Sequence, residues 1–534
     1  MSKERFLWWQ SGIIYQVYPR SFQDSNNDGV GDLRGIMQRL DYLQWLGITA
    51  IWISPIYPSP MADFGYDISD YRGVHPLFGN MADFDALLQQ AHHRNIKIIL
   101  DLVPNHTSDQ HPWFLESRSS RENPKRDWYI WKDGLENGAP PNNWLSVFGG
   151  TAWEWDEATG QYYYHAFLKE QPDLNWRNPE VQTAMLDVMR FWLEKGVDGF
   201  RVDVMWHMIK DEQFRNNPVN PAYQQHMATY EQLLPVYSTD QPEVHDLVHK
   251  MRGVLDAYNE RMMIGEIYLP IHKLVTYYGI DNNGAHLPFN FMLLSLPWEA
   301  TRISAAIDEY EGALPNKAWP NWVLSNHDQP RITSRVGLEQ SLVAAMLLLT
   351  LRGTPTIYYG EELGMRDVPI PPGEVQDPQG LNMPDKNLSR DPARTPMQWG
   401  ASEYAGFSGV KPWLRLGNSS KRVNVAAQKE DPFSHLTLYR RLIQLRQSEP
   451  SLMWGDYKPV YADQQALAYI RQAPGAKAFL IVLNLSHRPS YITLPHRPIS
   501  GIVVLATSSE WEGAQVTERM ELSGDEGLII ALHD

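Results

Sequence analysis

The stretch Gly199-Phe200-Arg201-Val202-Asp203-Val204 (GFRVDV) decides how the chain folds. It lies in an apolar, β-branched run, Val197–Val204, that reads as a buried strand with charge at its C-terminal end. Alternation along a strand puts Arg201 and Asp203 on one face. The preceding segment, Pro179–Lys195, is amphipathic at helical spacing. A helix leading into a buried strand is the repeating unit of a parallel α/β sheet.

The unit recurs in both directions. Ile13–Tyr18, Ala50–Ile53, Lys97–Val103, Met262–Ile267, Leu287–Leu293, Asn321–Ser325 and Thr354–Tyr359 read as further strands. Asp32–Leu46, Asp83–Arg94, Pro242–Tyr258 and Glu339–Leu351 read as helices between them. Eight strands, mostly separated by helices, predict an α/β chain folded as a (β/α)₈ TIM barrel. Residues 104–175 break the rhythm with many Pro, Gly, Asn and Trp, the mark of a subdomain inserted after strand three. A loop-rich region, 365–432, precedes a last helix, Phe433–Gln447. Beyond it, short apolar runs such as Ala476–Leu485 and Gly501–Ala506 read as a C-terminal antiparallel β-sandwich. The expected organisation is a barrel of residues 1–103 and 176–452, an inserted subdomain of 104–175 and a β domain of 453–534.

Composition narrows the function. With 534 residues, 43% hydrophobic and 21% charged, the chain is globular and too long for one core. It has no cysteine, which excludes disulfides and thiolate chemistry and suits a reducing compartment. The first twenty residues show no long apolar run with a small-residue cleavage site, and Leu342–Leu351, the longest apolar candidate, is too short to span a bilayer. The expectation is a cytoplasmic protein. A net charge of −16 disfavours nucleic acid and anionic membranes and suits a neutral substrate. The 20 Trp and 26 Tyr suit stacking on sugar rings as well as core packing.

In such a barrel the site forms at the C-terminal ends of the strands. Acidic and basic residues cluster there: Asp101 with Asn105-His106, Arg201 with Asp203, Glu266 in MMIGEIY, and Asn326-His327-Asp328 in LSNHDQPR. Paired carboxylates suit glycoside hydrolysis, in which one attacks the anomeric carbon and the other protonates the leaving oxygen. Adjacent strands can set Asp203 and Glu266 on opposite sides of that bond. Arg201 would keep Asp203 ionised, and a less solvated Glu266 would hold its proton. Asp328 with His327 could bind hydroxyls beside the reacting carbon.

These segments resemble glycoside hydrolase family 13, the α-amylase family. DLVPNH (101–106), QPDLN (171–175), GFRVDV (199–204), IGEI (264–267) and SNHD (325–328) match its characteristic regions in order. The resemblance implies Asp203 as nucleophile, Glu266 as acid/base and Asp328 as transition-state stabiliser, with Arg201, His106 and His327 contacting the first-subsite glucose. ADFGYDISDY (62–71) and ARTPMQW (393–399) resemble the α-glucosidase and oligo-1,6-glucosidase branch. That implies Asp63 and Arg394 gripping the non-reducing end, Tyr66 stacking on the ring, and Phe148 and Phe167 as pocket walls. The activity implied is a retaining exo-α-glucosidase acting on small α-glucosides, with transglucosylation or sucrose or trehalose isomerisation as the alternative. Val204 beside the nucleophile resembles the α-1,6-cleaving members, whereas Met205-Trp206 departs from them. A non-catalytic relative, of the kind found in amino-acid transporters, would lack much of this carboxylate set.

DSNNDGVGD (24–32) is a second motif. Asp24, Asn26, Asp28 and Asp32 offer oxygens at near-alternate positions, Gly29 allows a sharp turn, and Val30 completes the set. Gly35 stands where an EF-hand needs its last Glu. The resemblance implies one structural Ca²⁺ or Mg²⁺ here, with no cofactor in catalysis; the bland reading is an Asx-rich turn. His245 and His249, four apart on a helix, lack a third ligand and read as a solvated face.

Overall fold

The computed structural model describes residues 6–494 and 500–533. Eight strands form one parallel sheet: β1 (Ile14–Val17), β2 (Ala50–Ile53), β3 (Lys97–Leu102), β4 (Gly199–Val202), β5 (Met262–Gly265), β6 (Leu287–Pro288), β7 (Asn321–Val323) and β8 (Thr354–Tyr358). Their order is β7-β8-β1-β2-β3-β4-β5-β6, so the sheet curls into a nearly closed barrel whose seam lies between β6 and β7. β1, β2, β4 and β5 are buried along their whole length. Helices cover the outer face of such a sheet and side chains fill its interior, which is why these strands read as unbroken apolar runs.

The strand expected over Leu287–Leu293 is the most shortened. Pro288 has no N–H to offer a neighbour, and the chain turns helical over Met292–Ser295. A side chain closes the seam instead. Asn321 Nδ2 donates to the Pro288 carbonyl, and its Oδ1 accepts the Asn290 N–H at 3.0 Å.

Outside the sheet lie Met81–His93, Pro179–Lys195, Val244–Asp256, Ala300–Ala313 and Leu338–Thr350. Pro179–Lys195 is held at both ends. Asn178 accepts the Glu180 N–H at its start, and Gly196, at φ 104°, ends it in the left-handed conformation. The helix expected over Asp32–Leu46 is two, Leu33–Gln38 and Leu40–Leu46, parted at Arg39, whose guanidinium lies over Trp399 at 4.2 Å. Ala300–Ala313 was not singled out from sequence, though its buried Ile303, Ala306, Ile307 and Tyr310 keep helical spacing.

Between β3 and β4 stand a three-stranded antiparallel sheet (Trp131–Lys132, Trp153–Asp156, Gln161–Tyr164) and a short helix, Pro112–Ser119. A small core of Ile130, Trp144, Trp153 and Tyr164 serves this region. From Asp456 on, the described residues form a six-stranded antiparallel sheet and a two-stranded one, packed around a separate apolar cluster that includes Val482, Ile492 and Ile530. Among the described residues no helix is long and apolar enough to cross a membrane.

Candidate active site

Strand order delivers the charged groups to one place. In register, Asp101 on β3 pairs with Arg201 on β4, and Arg201 with Ile264 on β5, two residues before Glu266. Arg201, 1% exposed, is the hub. Its Nη1 donates to Asp101 Oδ1 at 2.8 Å and to Asp203 Oδ1 at 2.7 Å, and its Nη2 donates to Glu266 Oε2. The guanidinium lies over the Trp52 ring at 4.9 Å, and the Trp52 indole N–H donates to Asp101 Oδ2.

Directly after Asp203 the backbone bends. Val204 sits at φ 36°, ψ 47°, a left-handed conformation that a β-branched residue adopts only under strain. The bend brings its N–H to Glu266 Oε2 at 3.0 Å. One oxygen of Glu266 thus takes two donors, leaving the other to carry a proton.

One guanidinium faces three carboxylates in a region largely screened from solvent. Burial pushes Asp203 well up and Glu266 up, Arg201 opposes it, and the negative charge of neighbouring carboxylates adds to it. Burial likewise lifts Asp101, to about 6, against Arg201. Asp328 goes the other way. Burial pushes it up, but the guanidinium groups of Arg390 and Arg394 outweigh that and hold it well below the usual carboxylate range. The other three carboxyls share one guanidinium, so they do not all ionise together; a proton held on Glu266 leaves Arg201 to favour the ionised form of Asp203, the separation acid/base work needs.

His327 is fixed from two sides. Its Nε2 lies 2.7 Å from the Tyr66 hydroxyl, and its Nδ1 2.8 Å from Gln16 Nε2. Tyr66 also donates to Asp101 Oδ2. Burial drives the His327 pKa well down, so the ring is neutral.

Nine of the expected residues line one cavity of about 830 Å³: Asp63, Tyr66, His106, Phe148, Phe167, Asp203, Glu266, His327 and Asp328. Arg201 and Arg394 lie behind its wall rather than on it. Arg394 differs most from its expected place. It donates to the His327 carbonyl at 2.8 Å and to Asp328 at 3.1 Å. The partner of Asp63 is Arg390, which donates to Asp63 Oδ1 at 2.6 Å, to Asp377 Oδ1 and to Asp328 Oδ1 at 3.2 Å, and lies over the Phe148 ring. Sequence reading passed over Arg390, four residues earlier in the same SRDPARTP run, and Asp377. Gln171, within QPDLN, turns its amide to Asp63 and His106, a role the motif does not reveal. Trp206, His207 and Tyr268 also line the cavity; each follows a motif carboxylate within four residues.

The 24–32 loop lies apart. Asp24 accepts the N–H groups of Asn26, Asn27 and Gly29 and the Ser408 hydroxyl; Asp32 accepts those of Ser25 and Gly35. Asp28 accepts the Val30 N–H and the Asn26 amide. Among the described residues no three His, Cys, Asp or Glu side chains converge on a metal-sized centre, His245 and His249 included. In kind, the loop's side-chain ligand atoms are hard oxygens, and Asn26 Oδ1 is held by the Asp28 N–H at 3.0 Å.

Residues 16–455 match the family described as "Alpha amylase, catalytic domain". The oligo-1,6-glucosidase of Parageobacillus thermoglucosidasius is 40% identical over 92% of this chain and 92% of its own. Maltase 1 of Drosophila virilis is 41% identical over 98% of this chain and 87% of its own. Among solved structures, the α-glucosyl transfer enzyme XgtA superposes with a TM-score of 0.94 at 40% identity, covering 99% of this chain and 100% of that one. The trehalulose synthase MutB of Pseudomonas mesoacidophila does so with a TM-score of 0.90 at 35% identity, over 98% and 99%.

Proposed function

The chain belongs to the α-amylase catalytic-domain family, and from that premise we propose that it is a retaining, exo-acting α-glucosidase of short α-glucosides. The observation that carries the reading is the single guanidinium of Arg201 holding both Asp203 and Glu266, in a cavity bordered by the Asp63–Arg390–Asp328 network. Two carboxylates gathered on one side chain suit direct attack on the sugar better than the ~6.5–9.5 Å gap an inverting pair keeps for water. The charged network suits a closed end for one terminal glucose.

Asp203 attacks the anomeric carbon while Glu266 gives its proton to the leaving oxygen, and a glucosyl ester forms. Glu266, now a carboxylate, takes a proton from water, whose oxygen displaces Asp203 and releases glucose with its configuration retained. Asp328, ionised, accepts hydrogen bonds from hydroxyls next to the reacting carbon, and His106, His327 and Tyr66 shape the first subsite. If a sugar hydroxyl replaces water, the same ester gives transfer. The likeness to a glucosyl transfer enzyme and a trehalulose synthase favours that as the second reading.

The 24–32 loop we assign to one structural Ca²⁺ or Mg²⁺, held by Asp24, Asn26, Asp28, Asp32 and the Val30 carbonyl; the support is its run of oxygen donors. The complete lack of cysteine supports a cytoplasmic location.

Proton NMR of the first-formed product from p-nitrophenyl α-glucoside tests the reading. α-Glucose is expected. β-Glucose overturns retention, and absence of hydrolysis overturns the activity.

A further inference from the structure

Asp63, which lines the charged end of the cavity, stands in a turn that the backbone resists. Met61 on one side of it has φ 68°, and Phe64 on the other has φ 49°. Neither is glycine, and left-handed backbone at such residues persists only where the surroundings over-determine it. Hydrogen bonds supply part of the hold. Both oxygens of the buried Asp67 carboxylate accept N–H groups of the turn, that of Ala62 at 2.8 Å and that of Asp63 at 3.0 Å, and the Ser59 hydroxyl accepts that of Met61. These bonds fix residues 61–63 and do not reach Phe64.

The rest comes from Arg20, in the short helix Pro19–Phe22 that follows β1. Its guanidinium lies over the Phe64 ring at 4.9 Å and over the Trp413 ring at 4.7 Å, and its Nη1 donates to Met61 Sδ at 3.7 Å. Trp413 is itself anchored. Its indole N–H donates to Ser21 Oγ at 3.0 Å and its backbone N–H to the Gly29 carbonyl at 2.9 Å. One cation thus touches both strained residues and ties them to a fixed ring. The arrangement is costly. Arg20 is 9% exposed, its Nε is sealed without a hydrogen-bond partner, and among the described residues it forms no ion pair with a carboxylate. Packing alone does not account for a cation buried on these terms, because an apolar side chain would fill the slot with no unpaired charge. Arg20, Phe64 and Trp413 all lie outside the cavity lining, so what the cluster does for a bound sugar passes through Asp63.

We propose that Arg20 is a positioning residue for the first subsite: its guanidinium, held between Phe64 and Trp413, keeps the 61–64 turn in its left-handed form and so sets the Asp63 carboxylate toward Arg390 and the sugar. The inference rests on the α-glucosidase reading and extends it to a residue that does not touch the substrate. Relaxing the turn draws Asp63 away from Arg390 Nη2, now at 2.6 Å, while Arg201, Asp203 and Glu266 keep their own bonds at the ends of β4 and β5. Loss of Arg20 therefore weakens the hold on the terminal glucose more than it slows the bond-breaking step.

The test measures kcat and KM for p-nitrophenyl α-glucoside, and Ki for glucose, in Arg20→Met, which fills the slot without charge, and Arg20→Lys, which keeps the charge without the planar face. For Arg20→Met, KM and Ki should rise together by about 10-fold, with kcat within about 3-fold of wild type, and Arg20→Lys should recover part of that rise. Placed on Asp63→Ala, the same substitution should raise them no further, because a residue that acts only through Asp63 then has nothing left to position. An equal rise with and without Asp63, a fall in kcat at unchanged KM, or no change at all overturns the proposal. If Arg20→Met fails to fold, Phe64→Leu removes the ring from the turn side and carries the same expectations. Wild-type enzyme inert on the glucoside sinks the α-glucosidase reading itself, a distinguishable outcome.

Discussion

Two acidic clusters in this chain obtain their counter-charge in opposite ways. At the end of β4 and β5, Asp101, Asp203 and Glu266 crowd around one buried guanidinium, and burial lifts all three. In the 24–32 loop, Asp24 and Asp32 are satisfied by backbone N–H groups of their own turn and by nearby hydroxyls. The loop has local order for its acids whatever else binds. The catalytic floor has more negative charge than its cation can balance, so it holds charge at the expense of stability. Acidic residues near strand ends look alike in sequence; what separates them is whether their partners are local backbone or distant side chains.

The sharpest way to break this contrast is Asp203→Asn. Turnover should fall by about 10⁴-fold or more, since nothing else on the floor can form the ester. The same change should raise Tm at pH 7 by a few degrees, because it removes a buried carboxylate whose folded pKa is raised. The sign follows from linkage: a raised folded pKa weakens the fold above it, so the gain over wild type is largest at high pH and shrinks as pH falls. Loss of activity with an equal loss of Tm would mean that Asp203 is structural.

Arg390→Lys probes the charged end of the cavity. A point charge cannot bridge Asp63, Asp377 and Asp328 as a planar fork does, so kcat/KM for glucosides should drop roughly 100-fold, with KM carrying a large part. An unchanged KM would remove Arg390 from substrate binding.

Chelation tests the other cluster. Removal of divalent cations should lower Tm by a few degrees while kcat of the folded enzyme stays within about 2-fold, as expected of an ion bound only by the native state. Equal Tm with and without chelator would leave the turn held by its N–H groups alone.

The smallest effect is expected for Val204→Ala. The kcat/KM ratio of isomaltose to maltose should shift by about 10-fold, the lower end of the scale on which methyl groups in a pocket discriminate. An unmoved ratio would confine Val204 to its backbone role, the N–H offered to Glu266.

The barrel was legible because each strand is buried on both faces and stands out as an apolar run between helices. Leu287–Leu293 was overread, since its apolar character continues into the short helix Met292–Ser295 while the ladder stops at Pro288. The catalytic carboxylates were legible because they end apolar runs. Arg390 was not: its meaning comes from Asp63, 327 residues away in the chain. Arg394, four residues on, has the same side chain but faces His327 and Asp328 from behind the cavity wall.

The seam between β6 and β7 makes the barrel a split ring fastened by side chains, the amide of Asn321 and the guanidinium of Arg335. Asp203 and Glu266 ride on one lip of the split, at the ends of β4 and β5, and Asp328 rides on the other, after β7. The pair that makes and breaks the bond sits on neighbouring strands of the ladder, whereas the third carboxylate meets it by ladder only the long way round, through β8, β1, β2 and β3, and directly only across the clasp. Any slackening of that clasp widens the gap between Asp328 and the pair without disturbing the pair itself, so the grip on the sugar can loosen while the chemistry stays set.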